Sequence, residues 1–192
     1  SQRINGLVYD LGLRLLPPEE NPIEVVVVGI DDASLTRFPD PLVLWHEQLA
    51  QVITAIAAGG GTRIGVDLIP AVSMSRIAPE LDRALMRGIR TATRQGTQVI
   101  LGFSLGPYGV LPEKKFLFVA SGIGFLNLFP DQDGVLRRQV VEIVNPDGQV
   151  AQSIGLQLAK QEGAVTGEQF NQTYINYRLP PVSTVSFADI YD

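Results

Sequence analysis

Cysteine is absent from all 192 residues, which excludes disulfides and thiolate metal sites but leaves the compartment open. Lysines and arginines are scattered and the net charge is −5, so the basic stripe of a nucleic-acid binder is missing and that class is set aside. No apolar run approaches the roughly 18 to 20 residues that span a bilayer. No signal peptide is evident, and as it stands the chain is expected to be soluble. It starts at Ser1 and stops abruptly at Asp192, as a segment cut from something longer would. There is a single histidine, His46, at the start of an expected helix, and no Gly-x-Ser-x-Gly motif. A serine hydrolase is poorly supported, and His46 is expected as a surface or capping residue rather than a base.

The length suffices for one substantial core, and 45% apolar with 18% charged residues describes an ordinary globular domain. Ile4, Val8, Leu11 and Leu15 are spaced four, three and four apart, which places them on one helical face before Pro17-Pro18 stops the helix. Two readings stay open: an amphipathic helix packed on its own domain, or a helix leaving a membrane span and pairing with its copy in a dimer. Glu24 to Ile30 is a β-branched run that reads as a strand buried on both faces. Trp45, Leu49, Val52, Ile53 and Ile56 recur at helical spacing, and Gly59-Gly60-Gly61 ends that helix. Ile64 to Ile69 reads as a strand, and Leu81, Ala84, Leu85, Ile89 and Ala92 as a helical face opened by Pro79. Val99 to Ser104 is a third buried strand. This alternation predicts parallel strands joined by right-handed crossovers. Later come strands at Ile123 to Leu128 and Leu136 to Val144, and a turn at Asn145-Pro146-Asp147-Gly148. A helix around Ser153 to Gln161 and a strand around Thr173 to Tyr177 complete the chain. The expected fold is a single α/β domain with a mixed central sheet, parallel first and antiparallel later, flanked by helices.

In open α/β sheets ligands bind beyond the carboxyl ends of the parallel strands. Asp31 and Asp32 end the first strand, Asp67 lies late in the second, Ser104 ends the third and Asn127 the fourth. The functional reading is a polar pocket for a small ligand or cation; the structural one has Asp31 capping the next helix and Asp67 pairing with an arginine. A magnesium-dependent phosphohydrolase using Asp31 and Asp67 is the rival class. Against it, Asp31 and Asp32 are adjacent and tend to point apart, and no lysine is obviously placed to finish the site. Gly59-Gly60-Gly61-Thr62 follows a helix and opens a strand, the reverse of a phosphate loop, so it is a turn.

The segment Asp131-Gln132-Asp133-Gly134 allows three readings: calcium loop, hairpin or anion trap. Aligned on Gly134, an EF-hand loop would put Phe129 at its first ligand position and Val140 at its last, so that motif is excluded. A looser metal site using Asp131 and Asp133 stays open beside a hairpin whose Asp-Gly step takes positive φ. One of Arg137 and Arg138 is expected to pair with Asp131 or Asp133, and either could instead contact a ligand.

Taken together, Ile30-Asp31, Ile64-Gly65-Val66-Asp67, Gly124-Phe125-Leu126-Asn127, and Asp131 to Arg138 resemble the type-two CHASE (CHASE2) family over nearly the whole chain. Tyr9-Asp10 with Arg14 before Pro17-Pro18, and the closing Ile175-Asn176-Tyr177-Arg178 and Phe187-Ala188-Asp189-Ile190, are similar to the ends of that family. The Trp-Pro-Trp-Pro-Arg stretch of many members is replaced by Phe38-Pro39-Asp40-Pro41, so no ligand contact transfers from that loop. The loop after Asp67, with Pro70 and Ala71, also lacks an acidic residue often found there.

The resemblance implies one extracytoplasmic sensory domain over residues 1–192, with a membrane-proximal helix at 1–17 and an α/β core at 23–192. It would belong to a bacterial membrane receptor whose output is a histidine kinase, a serine/threonine kinase, or an adenylate or diguanylate cyclase. The domain itself is expected to be non-catalytic and to need no cofactor. The resemblance names no ligand; from the strand-end reading above, an unidentified small molecule or ion is expected at Asp31, Asp32, Asp67 and Asn127, with Arg137 or Arg138 as a further contact. A homodimer through Ile4, Val8, Leu11 and Leu15 is expected, with flanking transmembrane helices and a cytoplasmic output domain as further partners. A ligand-free dimerisation module is a third reading.

Overall fold

The structure, a computed structural model, describes residues 2–15, 17, 25–144, 148–159, 172–175 and 177–191. In chain order the elements begin with helix α1 (Gln2–Leu15), strand β1 (Val26–Gly29), α2 (Asp32–Arg37), a 3-10 turn at Leu42–Leu44 and α3 (His46–Ala58). Next come β2 (Arg63–Val66), α4 (Pro79–Arg94), β3 (Gln98–Phe103), α5 (Lys114–Leu117), β4 (Gly122–Phe125) and β5 (Arg138–Val140). The chain continues through β6 (Glu142–Val144), β7 (Val150–Gln152), α6 (Ile154–Ala159), β8 (Gln172–Tyr174), β9 (Ser183–Ser186) and α7 (Phe187–Tyr191). The expected turn at Asn145-Pro146-Asp147, the end of the helix at Gln161, and Glu24, Pro18 and Asn176 lie outside the described residues.

The centre is a three-stranded parallel sheet in the order β2-β3-β4. Every residue of β3 from Val99 to Phe103 is buried, as a strand covered on both faces requires. Alternation sends Ile64, Val66, Val99 and Leu101 to one face, where they meet Ile53 of α3, Leu85 and Ile89 of α4, and Phe116 of α5. Ile123 packs against the same cluster, so its neighbour Gly124 faces the other way, toward α6. There a Cβ on Gly124 would lie 2.4 Å from Ile154 Cα, and the missing side chain is what lets α6 rest directly on the sheet. The helical faces read from the sequence are the buried faces of α3 and α4, and Pro79 occupies the first turn of α4.

α3 also serves a second cluster, in which Trp45 and Val52 pack with Phe187, Val28, Ile30 and Phe38. Through it the parallel pair β1–β9 is attached, with Val26 opposite Ser183 and Gly29 opposite Ser186. The first strand therefore pairs with the last. Parallel and antiparallel strands coexist as expected, but they form four short ladders in place of one continuous sheet. β1 is not buried on both faces: Val25, Val26 and Val27 are exposed, and of its residues only Val28 packs against the second cluster. The expected strand from Leu136 to Val144 is interrupted at Val141, with β5 pairing β8 and β6 pairing β7, both antiparallel. β9 and α7, which close the second cluster, carry no strong periodicity and were not expected.

α3 and α4 approach most closely at Gly88, where a Cβ would stand 2.7 Å from both Cα and Cβ of Ala50. Helix propensity alone favours alanine over glycine by about 1 kcal/mol. The steric conflict should win, because overpacking a filled contact costs about 1–3 kcal/mol. Gly88→Ala is therefore expected to lower the urea midpoint; a rise would mean that the helices can separate freely at this point.

Candidate functional site

The strand ends hold the expected polar residues in unequal roles. Asp31 caps α2: its Oδ1 accepts from the Ser34 amide at 2.9 Å and the Ser34 hydroxyl at 2.7 Å, and from Ser186 Oγ of β9 at 2.9 Å. The Ser34 bonds, then that from Ser186, hold its carboxyl below the ordinary range. Asp32 is exposed in the first turn of α2, and its carboxylate makes no hydrogen bond within the described residues. Asp67 follows β2 in an exposed position with no ion pair among the described residues, so the expected arginine partner is not there. The apolar surroundings push its carboxyl up. Asn127 is bonded to the backbone, accepting from the Leu105 amide at 2.6 Å and donating to the Leu105 carbonyl at 3.2 Å, which braces the loop after β3. No hydrogen bond or ion pair joins any two of these four.

Beyond the carboxyl ends of β1 and β2 lies a cleft of about 200 Å³, in the position expected of an α/β fold. Its walls come from Ile30 after β1, Trp45, His46 and Leu49 of the α3 start, Leu68 to Val72 after β2, and Phe187 of α7. Asp31 and Asp67 are each one residue removed from a lining side chain. Ile30 and Leu68 line the cleft, and their acidic neighbours Asp31 and Asp67 do not. The cleft is consequently apolar, and His46 is its one titratable group.

His46 is not at the surface, contrary to expectation: it is 4% exposed, with its ring edge against Phe116. Its Nδ1 lies 3.2 Å from Asp82 Oδ1, too oblique for a hydrogen bond. Burial outweighs the attraction of Asp82 and lowers the pKa of His46, keeping the ring neutral. Asp82, 3% exposed, is the anchor. Burial opposes its charge, but Lys115 Nζ at 2.7 Å, the Met74 amide at 3.0 Å and Ser73 Oγ at 2.9 Å outweigh that and hold its carboxyl below the ordinary range. Lys115 also donates to Ser73 Oγ at 2.7 Å. These bonds pin the loop after β2, and so the cleft wall, to α4 and α5. The sequence carries a signal for Asp82: it precedes Leu85, Ile89 and Ala92 by three, seven and ten, and so sits on the buried face of α4. A carboxylate in that register requires a cation.

A second polar assembly joins α1 to the acidic turn. Asp131 to Gly134 form a tight turn closed by Gly134 N donating to the Asp131 carbonyl at 2.9 Å, with Gly134 at φ +79°. It is not the tip of a strand hairpin, since β4 pairs with β3 and β5 with β8. Arg137, 7% exposed, donates through Nε and Nη2 to Asp10 at 2.9 Å each, through Nη1 to Asp131 at 3.2 Å, and through both terminal nitrogens to Asp133. Arg138 bonds Asp131 as well. Both arginines thus meet the turn, where one was expected to. The bonds to Arg138 and Arg137 lower the pKa of Asp131, and that to Arg137 lowers the pKa of Asp133. Among the described residues no group of three or more His, Asp or Glu side chains is arranged to hold a metal ion.

α1 docks on this assembly by the face that carries Gly6, Tyr9 and Asp10. Gly6 lies over the Arg137 guanidinium, Asp10 binds it, and Tyr9 packs on Tyr174 at 4.9 Å between ring centroids and donates to the Ile175 carbonyl. Val8, Leu11 and Leu15 are 66%, 56% and 73% exposed, so the apolar stripe faces outward; the side chain of Ile4 lies outside the described set.

A family model described as the CHASE2 domain matches residues 1–192, the whole chain. No curated protein and no solved structure matches. No helix among the described residues is long and apolar enough to cross a membrane.

Two measurements follow from the Asp82 cluster. Lys115→Met should destabilise the domain by about 2 kcal/mol, below the 3–5 kcal/mol of a fully buried pair because the Lys115 side chain is 25% exposed; an unchanged urea midpoint would show that water replaces the ammonium. The pH dependence has a definite sign. The folded pKa of His46 lies below the ordinary 6.5, so the unfolded chain takes up the proton first. Stability is fully present above pH 6.5 and declines as pH falls below it, until the folded form is protonated too. Because this is the one histidine, His46→Gln should remove the slope between about pH 7.5 and 5.5; a slope that persists would assign it to another group.

Proposed function

The chain belongs to the CHASE2 domain family, and on that premise we propose that it is the extracytoplasmic sensory input of a bacterial transmembrane receptor with a kinase or nucleotide-cyclase output. CHASE2 is an extracellular sensory family found in receptors such as cyclases and kinases, and its role is not catalytic. Within that role α1 is the transmission element, the helix that continues toward the membrane.

The observation that carries this reading is the inverted docking of α1. A helix serving only its own domain would bury Val8, Leu11 and Leu15. This one is held by Gly6, Tyr9 and Asp10 and offers the stripe outward, where a second copy of the same helix would cover it. The Asp10–Arg137 pair is then the joint through which a change in the core reaches the helix. A ligand that favours one of two orientations of α1 shifts their populations, and dimer packing carries the difference onward. Asp32 and Asp67, whose carboxylates are uncommitted within the described residues, are the strand-end groups best placed to meet a polar ligand. Asp31, Asn127, Arg137 and Arg138 would act through the bonds that already hold them. A ligand-free assembly module is the second reading, favoured by the same exposed stripe; stability that rises with added ligand would separate the two.

The absence of cysteine makes the test clean. Single cysteines at Ile4, Val8, Leu11 and Leu15 should form interchain disulfides readily, while one at Leu13 should not. Cross-linking without regard to helical face would sink the dimer seam. Arg137→Gln should speed amide exchange in α1 and leave β2 to β4 protected; unchanged exchange would show that the ion pair does not hold the helix.

A further inference from the structure

The cleft beyond β1 and β2 is chemically narrow. Its lining consists of aliphatic and aromatic side chains together with His46, and it contains no carboxylate, ammonium or guanidinium. Trp45 brings a second polar atom, but its Nε1 already donates to the Asp40 carbonyl at 2.8 Å. A charged ligand would lose its hydration there with no counter-charge in return. An uncharged apolar one loses nothing of the kind. An apolar cavity of about 150 Å³ accepts benzene, so about 200 Å³ suits a single ring with a short substituent.

His46 then decides which polar group such a ligand should carry. Its ring is 4% exposed and stands between the cleft, which it lines, and the Asp82 carboxylate, 3.2 Å from Nδ1. Lys115, the Met74 amide and Ser73 keep Asp82 ionised, and a carboxylate at that distance favours the proton on the nitrogen facing it. The neutral ring is therefore protonated at Nδ1 and carries a bare lone pair at Nε2. No described residue hydrogen-bonds either nitrogen. A bare acceptor calls for a donor.

We propose that the cleft binds a small, uncharged, predominantly apolar molecule carrying one hydroxyl, which donates to Nε2 of His46. This rests on the sensory reading above and gives its ligand a chemical class. It also moves recognition from the strand-end carboxylates to the residues beside them.

Trp45 is the only tryptophan and it lines the cleft, so its fluorescence reads occupancy directly. The probe is 4-methylcyclohexanol, which does not absorb where tryptophan emits. Titration of this chain should give a saturable change in Trp45 emission and a matching rise in Tm. The ketone 4-methylcyclohexanone has the same shape but cannot donate, and should bind about tenfold more weakly. Cyclohexanecarboxylate, which is charged, should give no saturable change. Ala71→Leu adds bulk to the cleft lining and should abolish the response while the chain stays folded. His46→Phe, where it folds, should bind alcohol and ketone alike. No saturable signal up to the solubility limit of the alcohol, or equal binding of alcohol and ketone by the unaltered chain, overturns the proposal. If the α1 cysteines still cross-link on one face, that failure removes the cleft ligand alone; if that seam fails too, the sensory reading falls with it.

Discussion

A carboxylate at 3% exposure has to be satisfied from every side, and Asp82 imposes that condition on the centre of this domain. Leaving a charge there uncompensated would cost several kcal/mol, a large share of what holds an ordinary domain together. The chain answers with an ammonium from α5 and an amide and a hydroxyl from the loop after β2, and sets the neutral imidazole of His46, from the first turn of α3, beside them. Three separate segments are thereby brought to one side chain of α4. The loop after β2 has little regular structure of its own, yet these bonds hold it at the edge of the sheet, where its residues become one wall of the cleft. The cavity is shaped by the needs of a charge that does not line it.

The same physics operates at the junction with α1. Arg137 meets three carboxylates with its planar fork, and one of them belongs to the helix. A polar joint differs from a packed apolar one in being directional and discrete, so a small change in the acidic turn alters which partners the guanidinium can keep. The core, with Gly124 of the sheet beneath α6 and Gly88 of α4 against α3, is by contrast locked by close contact. A rigid centre with polar attachments at its margins is the arrangement a sensory module needs.

The helices α3 and α4, the strands β2 and β3, their parallel sense and the stop at Gly59-Gly60-Gly61 were all legible in the sequence. Each is a local periodicity or a backbone requirement that burial in the core reinforces. Asp31 as a helix cap, one of two readings, and an arginine from the pair Arg137-Arg138 as partner of the acidic turn were legible for the same reason, since their partners lie nearby in the chain. The capping of α2 by Asp31 also places Ile30, and not the carboxylate, in the cleft.

What the sequence by itself determined, then, is the class of fold, the family, and the residues whose role depends on neighbours a few positions away. Only the tertiary structure decided that β1 pairs with β9, that β4 and β5 part company across the acidic turn, and that His46 is buried beside Asp82. It alone decided, too, that α1 turns its apolar stripe outward. Each of those depends on contacts between residues far apart in the chain, such as His46 and Asp82, 36 apart, Asp10 and Arg137, 127 apart, and Val26 and Ser183, 157 apart. Local propensity is silent over such distances, and the outcome is set by which distant surfaces and charges satisfy one another when the chain closes.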